Sequence, residues 1–506
     1  MHTVRRRLSA IALTTTTLVA GVSAHASGLE IPDNGTVALG RGGAFVTRAS
    51  DATAVIHNVA AIVGLSGLQI HLGSNFGSMH HCFQRSGNYP NQDEVSINND
   101  GTVFANSQYS NGRTPYPLAC NDPNVSVTPN IALTYRITPR VAIGFAAYGP
   151  NTTGTPQNFP DRYNIPGVGL APSPVRYLVF QKSLLMAYIV MAASFAPLPW
   201  LRFGVSIQPA YATFSFGTMS NISPSSAQSP DSDLFIKLSA HGWFVAGQIG
   251  TQILPSPYLS FGGQLRLNPD VHLQGTGDVQ ANYYATTRTA DLNSQFTVER
   301  MTVPLPWTLH AGARFELPRV GRPHNTDPGY DPMVDDVFDI EATFSWENTS
   351  RMSHVLLENT GLIMVGPLRV PAPATVAMDS DFHDTFGVRI GGDVNIVPGH
   401  VALRAGFAYD TAAEGAAQAQ IHLPGYETYS VHGGASVRLG PMTLNLGYAH
   451  FFMSGLDAST VGVRAVTSVG GAVACDTTAG AGACQINRGV YTGVLDLFSA
   501  SLAAHF

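Results

Sequence analysis

The chain predicts an all-β fold, a 14-stranded antiparallel transmembrane β-barrel. Three observations carry this. Apolar and polar residues alternate with a period of two along many segments, the connections between those segments alternate between short and long, and the composition combines abundant glycine with very little charge. Only 12% of the 506 residues are Asp, Glu, Lys or Arg, about half of the ~25% usual in soluble domains. With 44% hydrophobic residues and a net charge of −6, the composition excludes three classes. A helical membrane protein would be far more apolar, a disordered chain more charged, and a nucleic-acid binder basic.

The alternation is clearest in the second half. In 382–396, Phe386, Val388, Ile390, Val394 and Ile396 share one parity, while His383, Thr385, Arg389, Asp393 and Asn395 take the other. Val401, Leu403, Phe407 and Tyr409 oppose Arg404 and Asp410; Val431, Val437 and Leu439 oppose His432, Ser436 and Arg438. Phe338, Ile340, Phe344 and Trp346 oppose Asp339, Glu341 and Glu347. A sandwich would bury the apolar parity, whereas a membrane barrel turns it to lipid and the polar parity to a lumen. The connections separate the two. Five turns are very short (137–140, 196–200, 254–258, 397–400, 439–442), a sixth at 318–336 is longer and Pro-rich, and longer polar segments near 78–125, 150–174, 218–235, 281–291, 357–380, 411–424 and 455–489 lie between them. Tight turns at one end and long loops at the other define an up-and-down barrel. The last segment ends with Phe498, Leu502 and Phe506 on one parity, a terminal strand with its apolar face outward.

The N-terminus predicts export. Arg5-Arg6-Arg7, an apolar stretch over 8–22 and Ala24-His25-Ala26 read as a signal peptide, residues 1–26. Export permits disulfides, and the local grouping of four cysteines suggests Cys82–Cys120 and Cys475–Cys484, although four cysteines allow three pairings. His80-His81-Cys82 has no second ligand cluster, so a loop disulfide is the better reading than a metal; neither metal nor cofactor is expected. The apolar stretch 184–196 is 13 residues long, short of the ~20 a spanning helix needs, and reads as a strand apolar on both faces.

Residues 27–65 do not alternate. They are rich in Gly and Ala, with Arg41, Arg48 and Asp51 spaced through them, and too few to fold alone. Val55, Ile56, Ile62, Val63 and Leu65 make them too apolar for a free tail, so they need a container, and a wide barrel lumen supplies one. Gly40-Arg41-Gly42-Gly43 has neither the preceding strand nor the Lys-Ser/Thr of a phosphate loop.

Here the sequence resembles a known family. Ala38-Leu39-Gly40-Arg41-Gly42-Gly43-Ala44, Ala49-Ser50-Asp51-Ala52-Thr53-Ala54-Val55 and His57-Asn58-Val59-Ala60-Ala61-Ile62 resemble the N-terminal hatch of the FadL family, outer-membrane transporters of long-chain fatty acids and, in the TodX-like branch, aromatic hydrocarbons. Thr128-Pro129-Asn130-Ile131-Ala132, Gly242-Trp243-Phe244, Leu305-Pro306-Trp307, Trp346-Glu347-Asn348 and the run from Phe382 to Arg389 look like its later landmarks, in order. The resemblance implies a hatch over 27–65 plugging a barrel over 66–506, with Gly40, Arg41, Asp51, Asn58, Val59 and Ala60 in the hatch and its gating. It also implies ligand capture on the extracellular loops and release through a lateral opening near the third strand or through the hatch. One departure stands out: Asn58-Val59-Ala60 replaces the family's Asn-Pro-Ala.

A carrier of greasy molecules needs an apolar lumen with few polar anchors. The candidate lumen residues are Leu185, Met186, Tyr188, Ile189 and Met191, drawn from both parities of the doubly apolar strand. Lys occurs only at 182 and 237, so any carboxylate clamp falls to Arg: Arg389, Arg404 and Arg438 on the inward parity, or Arg162 and Arg176 beside the apolar fourth strand. Against that stands a structural ladder joining these arginines to Asp339, Glu341 and Glu347 of the neighbouring strand and to Arg41, Arg48 and Asp51. No catalytic motif is present and no enzyme is expected. The expected function is diffusive outer-membrane uptake of hydrophobic small molecules, long-chain fatty acids first, by a monomer in contact with outer-membrane lipid and without nucleic acid. The alternatives are a general porin and a surface adhesin or receptor built on the long disulfide-bearing loops.

Overall fold

The computed structural model describes residues 34–86, 114–122, 124–150, 157–165, 169–221, 233–281, 283–284, 293–327, 329–365, 368–422, 425–464 and 485–506, with the backbone of short strand pairs inside 96–109 and 467–472. The expected signal peptide and the Cys475–Cys484 pairing lie outside the described residues.

The wall has 14 strands. They are β1 (Leu68–Arg85), β2 (Val125–Thr138), β3 (Val141–Tyr148), β4 (Gln181–Leu198), β5 (Leu201–Asn221), β6 (Asp233–Ser256) and β7 (Leu259–Leu267, continued by Asp270–Gln280). Then follow β8 (Ser294–Pro304 and Thr308–Pro318), β9 (Asp336–Glu347 and His354–Thr360), β10 (Thr375–Asp379 and Thr385–Val397), β11 (Val401–Asp410), β12 (Thr428–Leu439), β13 (Met442–Asp457) and β14 (Gly489–His505). Neighbours pair antiparallel, and β14 closes on β1 from Gln69↔His505 to Arg85↔Gly489. The two ends of the wall meet where Leu68 N–H donates to Phe506 O at 3.0 Å and Phe506 N–H to Leu68 O at 2.9 Å. Closing β14 on β1 removes the two sheet edges that an open sheet would expose in a bilayer.

Val388 and Ile390 are 49% and 46% exposed, while Arg389 between them is 4% exposed. The apolar parity faces out and the polar parity faces in, the arrangement of a membrane barrel and the reverse of a sandwich. Among the described residues no helix is long and apolar enough to cross a membrane, and the stretch 184–196 belongs to β4. β6 has 24 residues, well beyond the ~9–11 that cross a bilayer, so the wall extends past the membrane. β7 to β10 are each interrupted at one level, at 268–269, 305–307, 348–353 and 380–384. Pro306 removes a ladder donor there. Arg351 bridges the breaks, donating to the carbonyls of Asn268 and Leu305 at 3.0 and 2.9 Å.

Residues 34–65 lie inside the wall, almost all buried. They form α1 (Thr36–Gly40), α2 (Ala54–His57) and a 3-10 helix (Val59–Gly64). Helices of four to six residues do not hold themselves in water, where ~12–15 residues are marginal; here the wall holds them. Wall side chains satisfy their backbone: Gln248 and Gln264 both donate to Ile56 O at 3.0 Å, and Gln252 to Thr47 O at 2.6 Å. Inward-facing glycines let the two backbones touch. A Cβ on Gly204 would fall 2.6 Å from Ala60 N, one on Gly262 2.7 Å from Thr47 Cα, and one on Gly391 2.8 Å from the Arg41 carbonyl carbon.

Candidate functional site: the plugged lumen

The plug is fastened by a buried charge cluster. Arg41 donates from Nη1 to Asp339 at 2.9 Å and Asp393 at 2.6 Å, and from Nη2 to Asp339 at 3.2 Å. Arg48 reaches Asp339 at 2.9 Å and lies 3.1 Å from Asp393. Glu341 accepts the backbone N–H groups of Thr47 and Arg48, each at 2.9 Å. On the wall side, Arg314 binds Asp339 at 2.6 Å and Asp336 at 2.7 Å, and Arg404 lies 3.3 Å from Asp393. Every guanidinium in the cluster faces a carboxylate, as buried charges require.

The other arginines considered as carboxylate clamps are also engaged. Arg389 pairs with Asp410 at 2.7 Å and Arg438 with Asp331. Arg176 pairs with Asp233 at 3.2 Å and lies over the Tyr177 ring. Arg162 lies 3.7 Å from Asp161, donates to Tyr283 O at 2.9 Å and lies over the Tyr284 ring. Of the three arginines considered for the structural ladder, Arg404 joins the plug cluster through Asp393, whereas Arg389 and Arg438 pair with acids outside it.

Within the plug, Asp51 accepts the Thr53 N–H at 2.8 Å and shapes the start of α2. Gly40 makes room for Arg404, whose Cδ would lie 2.7 Å from a Cβ there. Asn58 is the tie to the wall: its Nδ2 donates to Val46 O at 2.8 Å and Thr251 O at 3.0 Å, and its Oδ1 accepts from Ala60 N at 3.1 Å. The loss of proline at 59 leaves this geometry possible. Asn58 is extended (φ −160, ψ 100), outside the α region that a following proline disfavours, and Val59 is the first residue of the 3-10 helix, a position where proline is tolerated. Val59→Pro is therefore expected to leave the fold intact and raise stability by about 0.4–1 kcal/mol. The check is the urea midpoint in detergent micelles.

The candidate lumen residues on β4 divide between its two faces. Met186 and Tyr188 face inward with Leu184 and Val190, all buried. Leu185, Ile189 and Met191 face outward, 46%, 39% and 48% exposed, so they are lipid contacts and not lumen residues. Both parities are apolar, so hydrophobicity does not orient this strand. The overlooked signal is Lys182 and Ser194, polar residues sharing the even parity, both buried. Tyr188 stacks on Tyr148 with centroids 5.3 Å apart and meets Phe244 edge-on at 5.6 Å. Arg266, absent from the sequence candidates, donates to the Tyr148 hydroxyl at 2.7 Å and lies 5.7 Å from the Tyr188 ring centre. Phe214, Leu273, Met301 and Val303 continue this apolar surface down to Phe45, Val55 and Ile62 of the plug.

Beside it the wall is interrupted. Tyr148 pairs with Asn130 of β2 and Tyr188 of β4, and β4 next finds a partner on that side at Lys182↔Gln157. Among the described residues, 183–187 have no β3 partner, and this stretch turns Leu184 and Met186 inward. Above the bore, the Cys82–Cys120 disulfide joins β1 to the first long loop, which also rules out a metal on His80, Cys82 and Cys120. Loop residues 411–422 reach β4, where Lys182 Nζ donates to His422 O at 2.7 Å. Burial pushes the Glu414 carboxyl well above its usual range and the His422 imidazole well below, biasing both to the uncharged form over the greasy lumen.

A lipid-facing wall, a bore filled by the leading segment and an apolar, aromatic-rich inner surface above it define a plugged outer-membrane transport barrel. The chain belongs to the family of outer membrane transport proteins OMPP1/FadL/TodX, whose model matches residues 17–488. Such proteins are transporters, not enzymes. A FadL homologue from Pseudomonas aeruginosa is similar at 14% identity over 95% of this chain and 100% of its own, with a TM-score of 0.68. The toluene transporter TodX of P. putida is 12% identical over 94% and 99%, with a TM-score of 0.62. The toluene transporter TbuX of Ralstonia pickettii is 15% identical over 94% and 99%, with a TM-score of 0.55. No curated protein matches the sequence significantly.

Proposed function

We propose that the protein admits hydrophobic small molecules across the outer membrane by diffusion, with long-chain fatty acids as the first substrate class. The observation that carries this is the inward face of β4: Leu184, Met186, Tyr188 and Val190 are buried in one apolar cluster that runs on to the plug. A water-filled porin would wet and charge that face, and here the bore acids Asp339 and Asp393 pair with Arg41 and Arg48 of the plug. Ligand enters between the extracellular loops, settles on the Tyr148–Tyr188–Phe244 surface, and leaves either beside β3, where 183–187 have no β3 partner among the described residues, or past residues 34–65 acting as a hatch. The barrel works as a monomer surrounded by outer-membrane lipid, after export through residues 1–26. In cells lacking their own carrier, expression of this chain should raise uptake of labelled oleate at least several-fold, and cross-linking the hatch to the wall should cut it back. Uptake equal to that of cells with an empty vector would remove the proposal.

A further inference from the structure

At the end with the short turns, a cavity of about 410 Å³ lies beneath the plug. Its upper side is the underside of the 3-10 helix, Ala61 and Val63, with the following Leu65, and Leu198 and Leu254 add apolar wall. Arg136, Arg140 and Arg202 also line it, and they differ from the other bore arginines. Arg202 donates to Gln252 Oε1 at 2.7 Å and Asn325 O at 3.1 Å, both uncharged acceptors. Neither it, Arg136 nor Arg140 has a carboxylate partner among the described residues. Of the nearby acids, Asp331 pairs with Arg438, and Asp327 accepts the His324 N–H at 2.8 Å and forms no ion pair with these arginines. Gly64 leaves the space that Arg202 occupies, since a Cβ there would strike its guanidinium. The vestibule thus sets unneutralised guanidinium groups against an apolar surface, matching a molecule with one anionic head and a greasy tail.

We propose that this vestibule is a binding site for the carboxylate of an apolar acid on the short-turn side of the plug, with Arg202 as its principal ligand and Arg136 and Arg140 as supporting charges. The site holds the head of an acid that has passed the plug and discriminates it from an uncharged hydrocarbon of the same length. It rests on the transport reading above and deepens it. The test is binding of labelled decanoate and of labelled decanol to the purified full-length protein in detergent, by equilibrium dialysis. The wild type should bind decanoate at least ten-fold more tightly than decanol. The triple substitution Arg136→Gln, Arg140→Gln, Arg202→Gln should erase that preference and leave decanol binding within two-fold. Should the triple variant fail the heat-shift test of barrel folding on gels, the single pair decides: Arg202→Lys keeps most of the preference and Arg202→Gln loses at least three-fold. Equal decanoate binding by wild type and these glutamine variants would overturn the site. Uptake of oleate into cells, measured separately, tests the transport reading: decanoate preference without uptake removes transport and keeps the site, and uptake without the preference does the reverse.

Discussion

Asp339→Ala should release the plug from the wall and cost about 3–5 kcal/mol of stability, the loss that follows when one partner of a buried ion pair is removed. Asp339 accepts from Arg41, Arg48 and Arg314 and also takes the Asp393 N–H at 2.9 Å. Without it, three buried guanidinium groups share what Asp393, Asp336 and Glu316 supply. Asp339→Asn retains an oxygen acceptor but turns an amide toward the same cations, so it should fall close to alanine. Trypsin offers a direct readout, because it cuts after arginine and both Arg41 and Arg48 are buried in the intact plug. The variant should be cut there within minutes, show a lower urea midpoint, and conduct ions in planar bilayers in which the wild type is silent. A variant that resists trypsin with an unchanged midpoint would show that the cluster does not hold the plug.

Met191→Arg should block stable insertion, whereas Met186→Asn should spare insertion and reduce uptake. The two positions are on one strand, five residues apart and of opposite parity, and both are methionine in an apolar run. Met191 points to lipid midway along the outward row from Leu185 to Phe195. An arginine near the bilayer midplane on the lipid face costs about 2–4 kcal/mol. Met186 is buried on the inward face with Leu184 and Tyr188. A polar amide there removes ~1–2 kcal/mol of apolar contact with a ligand, about a ten-fold loss of uptake. Folding into lipid vesicles and labelled-oleate uptake measure the two effects. Assembly lost with Met186→Asn and spared with Met191→Arg would mean that the other face lines the lumen.

Much of the architecture is legible in the linear pattern, for a physical reason. A strand in a barrel has only two faces, so each polar–apolar alternation, such as Arg389 between Val388 and Ile390, already states which side meets lipid once closure is assumed. Turn and loop lengths add the direction of travel, and the apolar segment 27–65, with no strand period, needs a container. Where a strand is apolar on both faces this logic fails, as β4 shows. There the orientation comes from the register with β3 and β5, fixed by Tyr188↔Tyr148 and Tyr188↔Ala210.

The amino-acid order alone determined the class: the number of strands, the lipid-facing parity and the enclosed leading segment. Tertiary structure decided what the charges do. Arg41 meets Asp339 and Asp393 across separations of 298 and 352 residues, and Arg202 lies under Gly64 without a carboxylate. Opposite charges pair according to distance in space, and no period along the chain reports which side chains the closed wall brings within three ångströms of one another.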